Sequence, residues 1–145
     1  MIVRDAEQTD KFKVIALWRA CGLTRPWNLP EEDFDFALGG PSSTVLVAES
    51  GDQIIGSALV GHDGHRGTVY YVSISPDRQS SGLGKTLMNA AEDWLRDRGV
   101  WKVNLLVRRD NAAAVQFYEK QGYGDQDCIA LGKRLDGRAD RSRRS

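Results

Sequence analysis

Between Gln79 and Thr86 the chain reads QSSGLGKT, a glycine loop that closes like a nucleotide-phosphate cradle. Such a cradle follows G-x-x-x-x-G-K-[ST], with its first glycine five positions before its second. Counting back from Gly84 reaches Gln79, so only the second half of the pattern is present. The physical use of the loop is clear all the same. The first turn of a helix leaves backbone N–H groups without internal partners, and the helix dipole adds partial positive charge there. Gly82 and Gly84 lack Cβ atoms, so phosphate oxygens can come against the N–H groups around Leu83, Gly84 and Lys85. A tight strand-to-helix turn uses glycines in the same way, and the loop alone leaves both readings open.

A few other residues have the chemistry to act. Tyr118, in FYEKQGY, is a phenol with a pKa near ~10 that is neutral at pH 7 and able to donate a proton; beside Phe117 it is equally suited to packing. Asn111 could hold a ligand or cap the helix that follows it. Asp63-Gly64-His65-Arg66-Gly67 joins two strands, where Asp and Gly serve the turn itself. His65 nevertheless titrates near neutral pH, and Arg66 can hold a carboxylate. Glu49, Asp63, His65 and Tyr70 are the candidates for a general base. Arg25-Pro26-Trp27-Asn28 is a proline turn whose Arg25, Trp27 and Asn28 could face a substrate.

These residues need a scaffold, and the pattern of the chain supplies one. Met1–Ala6 reads as an edge strand. Thr9 or Asp10 caps a helix running to about Cys21, with Val14, Leu17, Trp18 and Cys21 on one face, and Gly22 stops it. Pro30-Glu31-Glu32-Asp33 is a favourable first turn for a second helix, which ends at Gly39-Gly40-Pro41. Thr44–Glu49 and Gln53–Val60 flank the turn Ser50-Gly51-Asp52 as a hairpin. Thr68–Ser75 is a third strand, ended by Pro76. After the glycine loop, Leu83, Leu87, Met88, Ala91, Trp94 and Leu95 fall at helical spacing. Lys102–Val107 reads as a strand, Asn111–Gln121 as a helix closed by Gly122, and Ile129–Leu135 as a last strand. This order predicts an α/β chain, a mixed sheet covered by helices. One domain over residues 1–135 is expected, with 136–145 a frayed basic tail.

Composition narrows the function classes. The 145 residues are 41% hydrophobic and 28% charged, as in an ordinary soluble protein. Twenty basic and twenty acidic side chains cancel, so no global field draws nucleic acid or an anionic membrane. Cys21 and Cys128 form no C-x-x-C pair, which argues against a metal site and for two reduced thiols. No apolar run approaches a membrane span and the N-terminus has no signal-like stretch. A cytoplasmic protein is expected, with no metal, nucleic-acid or membrane partner.

The residues around the loop then point to a family. Gln79-x-x-Gly82-x-Gly84 fits Q/R-x-x-G-x-G/A, and Asn111 through Tyr123 fits N-x-x-A-x-x-F/L-Y-x-x-x-G-F/Y. Together they resemble the GNAT superfamily of N-acyltransferases, from Ile2 to about Leu135. RPWN and DGHRG resemble a small bacterial subgroup of it. The resemblance implies a GNAT fold in which Gln79, Ser80, Ser81, Gly82, Leu83, Gly84, Lys85 and Thr86 hold the pyrophosphate of acetyl-CoA. Val72, Ser73 and Ile74, on a strand splayed from its neighbour, hold the pantetheine arm, and a backbone N–H there faces the thioester oxygen. Asn111 bonds to the cofactor arm, and Tyr118 is the general acid that protonates the departing thiolate. The acceptor implied is a primary amine, approached through Arg25, Trp27, Asn28, His65 and Arg66, and a homodimer is expected.

VRRDNAAA, from Val107, resembles the ribosomal-protein N-terminal acetyltransferases, where a glutamate just before that valine is the expected base; here the position is Leu106. A small amine or amino-acid-like acceptor is therefore the first reading, and a protein N-terminus or lysine the second. A non-catalytic acyl-CoA module is the rival from another class. A nucleotide triphosphatase lacks the glycine at 79 and a carboxylate at the end of KVNLLV for Mg²⁺.

Overall fold

Strand and helix signals alternate along the first hundred residues, and the computed structural model, which describes residues 1–138, turns them into a sheet with helices on both faces. The described chain falls into two compact units, Met1–Leu105 and the segment from Leu106 on.

In the first unit, β1 (Ile2–Asp5), β2 (Ser43–Ser50), β3 (Gln53–His62) and β4 (Gly67–Ile74) form one antiparallel sheet in the order β1-β2-β3-β4. Gly51 and Asp52 close the β2–β3 hairpin, with Ser50 opposite Gln53 and Gly51 at φ +60°, a left-handed turn that glycine accepts without strain. β1 is an edge, as its short alternation predicts. Every residue of Thr44–Ala48 in β2 is buried, because β2 carries helices on both faces. Val45 and Val47 join Val14, Ile15 and Trp18 of α1 (Lys11–Ala20) and Phe34 and Ala37 of α2 (Pro30–Gly39) on one side. Ala48 and Ile55 meet Leu83 and Leu87 of α3 (Leu83–Arg96) on the other. The six apolar positions expected on α3 are the six that are buried. At about 1.5–3 kcal/mol per large side chain, these two layers provide the main favourable term in folding.

Two expected strands are not formed. Lys102–Val107 touches the sheet at one parallel bridge, Gly67 opposite Val103, with Gly67 N–H donating to the Lys102 carbonyl and Asn104 N–H to that of Gly67. Beyond Gly67 the second edge of β4 has no strand partner among the described residues. The sheet proper is thus antiparallel, and its mixed character reduces to that bridge. In the second unit, α4 (Ala112–Glu119) forms where expected. Ile129–Leu135 is extended without strand pairing among the described residues, and Ile129, Leu131 and Leu135 are exposed. Alternating apolar side chains favour a strand, but a strand exists only where a neighbour accepts its ladder. Of the expected tail, Asp136 is tied to Arg134 at 2.6 Å, and residues 139–145 lie outside the described chain.

An ion network fastens β1 to α1 and β2. Arg4 donates to Asp10 at 2.8 and 3.1 Å and to Glu49 at 3.2 Å, and the Asp10 carboxylate also accepts the Glu7 N–H. The Arg4 hydrogen bonds hold the buried Asp10 carboxyl below its ordinary 3.8. Its stabilisation is therefore present above that unfolded-state value and is lost as pH falls through the lower folded-state one. Asp10→Asn is expected to cost about 1.5–3 kcal/mol at neutral pH. Its gap to the wild type should close in urea titrations below the ordinary 3.8; a gap unchanged by pH would rule out the ionised pair as its source.

Candidate functional site

α3 begins without a side-chain cap. Its N-cap is Gly82 at φ +83°, no side chain accepts from the first turn, and the first internal bond is Thr86 N–H to the Gly82 carbonyl at 3.2 Å. The N–H groups of Leu83, Gly84 and Lys85 therefore have no intrahelical acceptor. Ser80 is also left-handed, at φ +64°. Between them Ser81 folds back, its hydroxyl donating to the Arg78 carbonyl. The loop thus presents backbone donors at the positive end of a fourteen-residue helix, a seat for an anion. Side chains contribute little. Leu83 is buried in the core, the Thr86 hydroxyl donates to Gly82 O, and Gln79 Nε2 reaches the Ile74 carbonyl at 3.5 Å.

β4 leads into this loop and is distorted on the way. Its register with β3 jumps from Leu59–Tyr70 to Ser57–Ser73, so Tyr71 and Val72 stand against Ala58 alone. Tyr71 takes up the bulge at φ +54°, a conformation that a bulky residue keeps only when its surroundings hold it there. They do so in two ways. The ring stacks on Trp18 at 4.0 Å between centroids and 10° between planes, and the hydroxyl donates to Asp33 Oδ2 at 2.7 Å. Past the bulge, the buried Ser73 hydroxyl donates to Ser57 O, which leaves backbone as what Ser73 can offer a ligand. Cys21 Sγ lies 3.1 Å from Ile74 O. Both Cys21 and Cys128 are free thiols.

The hairpin with DGHRG lies at the other end of β4. From Gly67 to Ile74 the strand spans roughly 23 Å at its usual rise. Asp63 Oδ1 accepts the N–H groups of Arg66 and His65 at 2.7 and 2.8 Å, and these bonds hold its carboxyl below the usual range. The Arg66 guanidinium stacks on the exposed Trp101, 4.2 Å from the ring centre. Arg25 is folded onto its own turn, donating to Gly22 O and Thr24 O, and Asn28 N–H closes that turn on Arg25 O. Glu49 is engaged by Arg4, and Tyr70 is part-exposed opposite Leu59.

In the second unit, Asn111 caps α4, its Oδ1 accepting the Ala114 N–H at 3.1 Å; its amide N–H₂ stays available to donate. Tyr118 lies edge-on to Phe117 and Tyr123, with ring centres at 5.0 and 5.9 Å. Burial pushes its hydroxyl above the ordinary tyrosine range, which keeps the proton on the oxygen at neutral pH. Among the described residues no group of His, Cys, Asp and Glu is arranged to hold a metal. Sequence reasoning missed the Trp18–Tyr71–Asp33 cluster. Its members are far apart in the chain, and a left-handed tyrosine carries no signal in the sequence.

The chain matches the family model "Acetyltransferase (GNAT) family" over residues 11–123. It is 44% identical over 135 residues to an acetyltransferase of Pectobacterium atrosepticum, covering 93% of this chain and 96% of that one. Among solved structures, AAC(6')-Iy with the bisubstrate analogue CoA-S-monomethyl-acetylneamine superposes with a TM-score of 0.79 at 13% identity, over 92% of this chain and 97% of that one. The ribosomal-protein-S18-alanine N-acetyltransferase of Escherichia coli superposes with a TM-score of 0.72 at 26% identity, over 83% and 76%.

Proposed function

This chain belongs to the GNAT family of acetyltransferases, and from that premise we propose that it transfers an acetyl group from acetyl-CoA to a primary amine by direct attack. The observation that carries the proposal is the uncapped start of α3, where a left-handed Gly82 leaves three backbone N–H groups without acceptors. In this reading Gln79 to Thr86 surround the CoA pyrophosphate, chiefly through backbone. Val72, Ser73 and Ile74 bind the pantetheine arm along the edge of β4 that, beyond Gly67, has no strand partner among the described residues, and a strand N–H there supports the developing oxyanion. Asn111 donates to the arm from the amide left free by its capping bond. Tyr118 gives its proton to the thiolate, a role supported by its neutral, half-buried hydroxyl. The transferase domain comprises residues 1–135.

The acceptor is a small or amino-acid-like amine, with Arg25, Trp27, Asn28, His65 and Arg66 as the outer substrate residues. Leu106 in place of a glutamate supports this over a protein N-terminus. Similarity to the E. coli ribosomal-protein-S18-alanine N-acetyltransferase favours the protein N-terminus as the second reading. Free cysteines suit a cytoplasmic setting, and exposed Ile129, Leu131 and Leu135 suit a homodimer, which light scattering on the purified chain reads directly.

Thermal unfolding with acetyl-CoA, CoA and Mg²⁺–ATP tests the loop. At a hundred times Kd a true ligand adds about 2.7 kcal/mol, several degrees in Tm for a domain of this size. Acetyl-CoA and CoA are expected to stabilise and ATP is not; stabilisation by ATP alone would sink the proposal. Turnover of cadaverine, L-lysine, sisomicin and an alanyl peptide amide then sorts the acceptor classes.

A further inference from the structure

Three carboxylates follow one another at alternate positions along α2, and two have cations. Glu31 pairs with Arg19 at 3.0 Å and Asp35 with Lys11 at 2.7 Å, both partners coming from α1. Asp33, between them, has none. Its one side-chain partner among the described residues is the neutral hydroxyl of Tyr71, on Oδ2, and Oδ1 is unoccupied by any of them. The side chains of β2 and β3 that pack on this face are apolar, Val45, Val47, Ile54 and Leu59. Glu32, the remaining acid of this turn, is exposed. Asp33 lies in the first turn of α2, where the helix dipole offsets part of the cost of its charge, and its open Oδ1 can still take a cation. Asp33 is also held by the residue that forms the β4 bulge, one position before the strand segment proposed to hold the pantetheine arm.

We propose that Asp33 is the acceptor site of this enzyme, binding the substrate amine as an ammonium ion and taking its proton, with Tyr71 as the positioning residue that fixes the carboxylate at the bulge. The inference rests on the acetyl-transfer reading and supplies the base that Leu106 does not. One N–H proton of the ammonium passes to Asp33 Oδ1. The freed lone pair forms the C–N bond at the thioester carbonyl, the C–S bond breaks with its electron pair on sulfur, and the thiolate takes the Tyr118 proton. The nitrogen's second proton and the one on Asp33 go to solvent, and solvent reprotonates Tyr118, so each turnover yields amide, CoA thiol and one proton. Burial and the adjacent carboxylate raise the Tyr71 phenol well above its usual range, so Tyr71 stays a donor to Asp33 throughout.

Two measurements on the full chain decide it, calorimetry with CoA bound and kinetics with acetyl-CoA. In calorimetry hexylammonium is expected to bind the wild type about tenfold more tightly than Asp33→Asn, a loss of about 1.4 kcal/mol, while hexanol binds both alike. In kinetics with the best amine of the panel, Asp33→Asn is expected to lose about twentyfold in kcat/KM at pH 7. That deficit should shrink as pH approaches the amine's own pKa, where free amine no longer needs a base. Asp33→Glu should keep hexylammonium binding within a few-fold, and Tyr71→Phe should weaken it while leaving CoA affinity unchanged. Equal hexylammonium binding by wild type and Asp33→Asn overturns the proposal, as does a kinetic loss that is the same at every pH. If no amine in the panel is acetylated, the acetyl-transfer reading fails, and the calorimetric comparison still decides whether Asp33 is an ammonium site.

Discussion

Tyr118→Phe is expected to lower kcat by about 10²–10³-fold while acetyl-CoA binds with unchanged affinity. The substitution removes one oxygen. The ring keeps its edge contacts with Phe117 and Tyr123, and the hydroxyl has no hydrogen-bond partner among the described residues to lose. Stability should move by little, so the effect isolates proton donation to the leaving thiolate. The loss should persist across pH, since the wild-type phenol is held protonated by burial. An acyl-donor thioester with a better leaving group should recover part of the rate, because a low-pKa thiolate departs without a proton. A variant that retains most of its kcat would remove Tyr118 from the chemistry and leave it a packing residue.

Gly82→Val is the second large effect, this time on binding. At φ +83° a β-branched side chain is a genuine outlier, costing about 1–3 kcal/mol if the loop keeps its shape. If the loop relaxes to negative φ, the N–H groups of Leu83, Gly84 and Lys85 turn away from their common focus. In that relaxed case the Kd for CoA is expected to rise about thirtyfold, near 2 kcal/mol. A Cβ at this position would meet nothing within 4 Å, so steric collision is not the cause. Gly82→Asn serves as the control, since asparagine tolerates the left-handed region; it should bind CoA within a few-fold of wild type. Equal loss in both variants would trace the effect to the side chain rather than to the backbone angle.

Much of this was legible in the sequence, for identifiable reasons. The α3 face was readable because one surface of a long helix packs on a sheet, and the six apolar positions repeat at helical spacing. The β2–β3 hairpin was readable because Gly51-Asp52 fits few other conformations. The glycine start of α3 was readable because it depends on local geometry alone. Among the described residues Lys102–Val107 pairs only at the Gly67–Val103 bridge and Ile129–Leu135 not at all, though both have strand composition: composition speaks for a residue's own preference, and a ladder depends on a distant neighbour. The Tyr71–Asp33 bond was illegible for the same reason, compounded by a bulge that shifts every residue after Tyr70 by one place. Plain alternation through TVYYVSIS assigns those side chains to the wrong faces.

The loop before α3 is built from main-chain donors, with Ser80 and Gly82 setting its path by their left-handed angles. The shape there depends on a pair of torsions rather than on a set of functional groups. Ser80, Ser81 and Lys85 are exposed, and exchanges at them that respect those torsions leave the seat intact. QSSGLGKT shares its last letters with the loops of unrelated phosphate binders, although its path is set by backbone angles. Its identity is carried by the strand behind it and the helix ahead of it, and a short string of letters is a poor record of either.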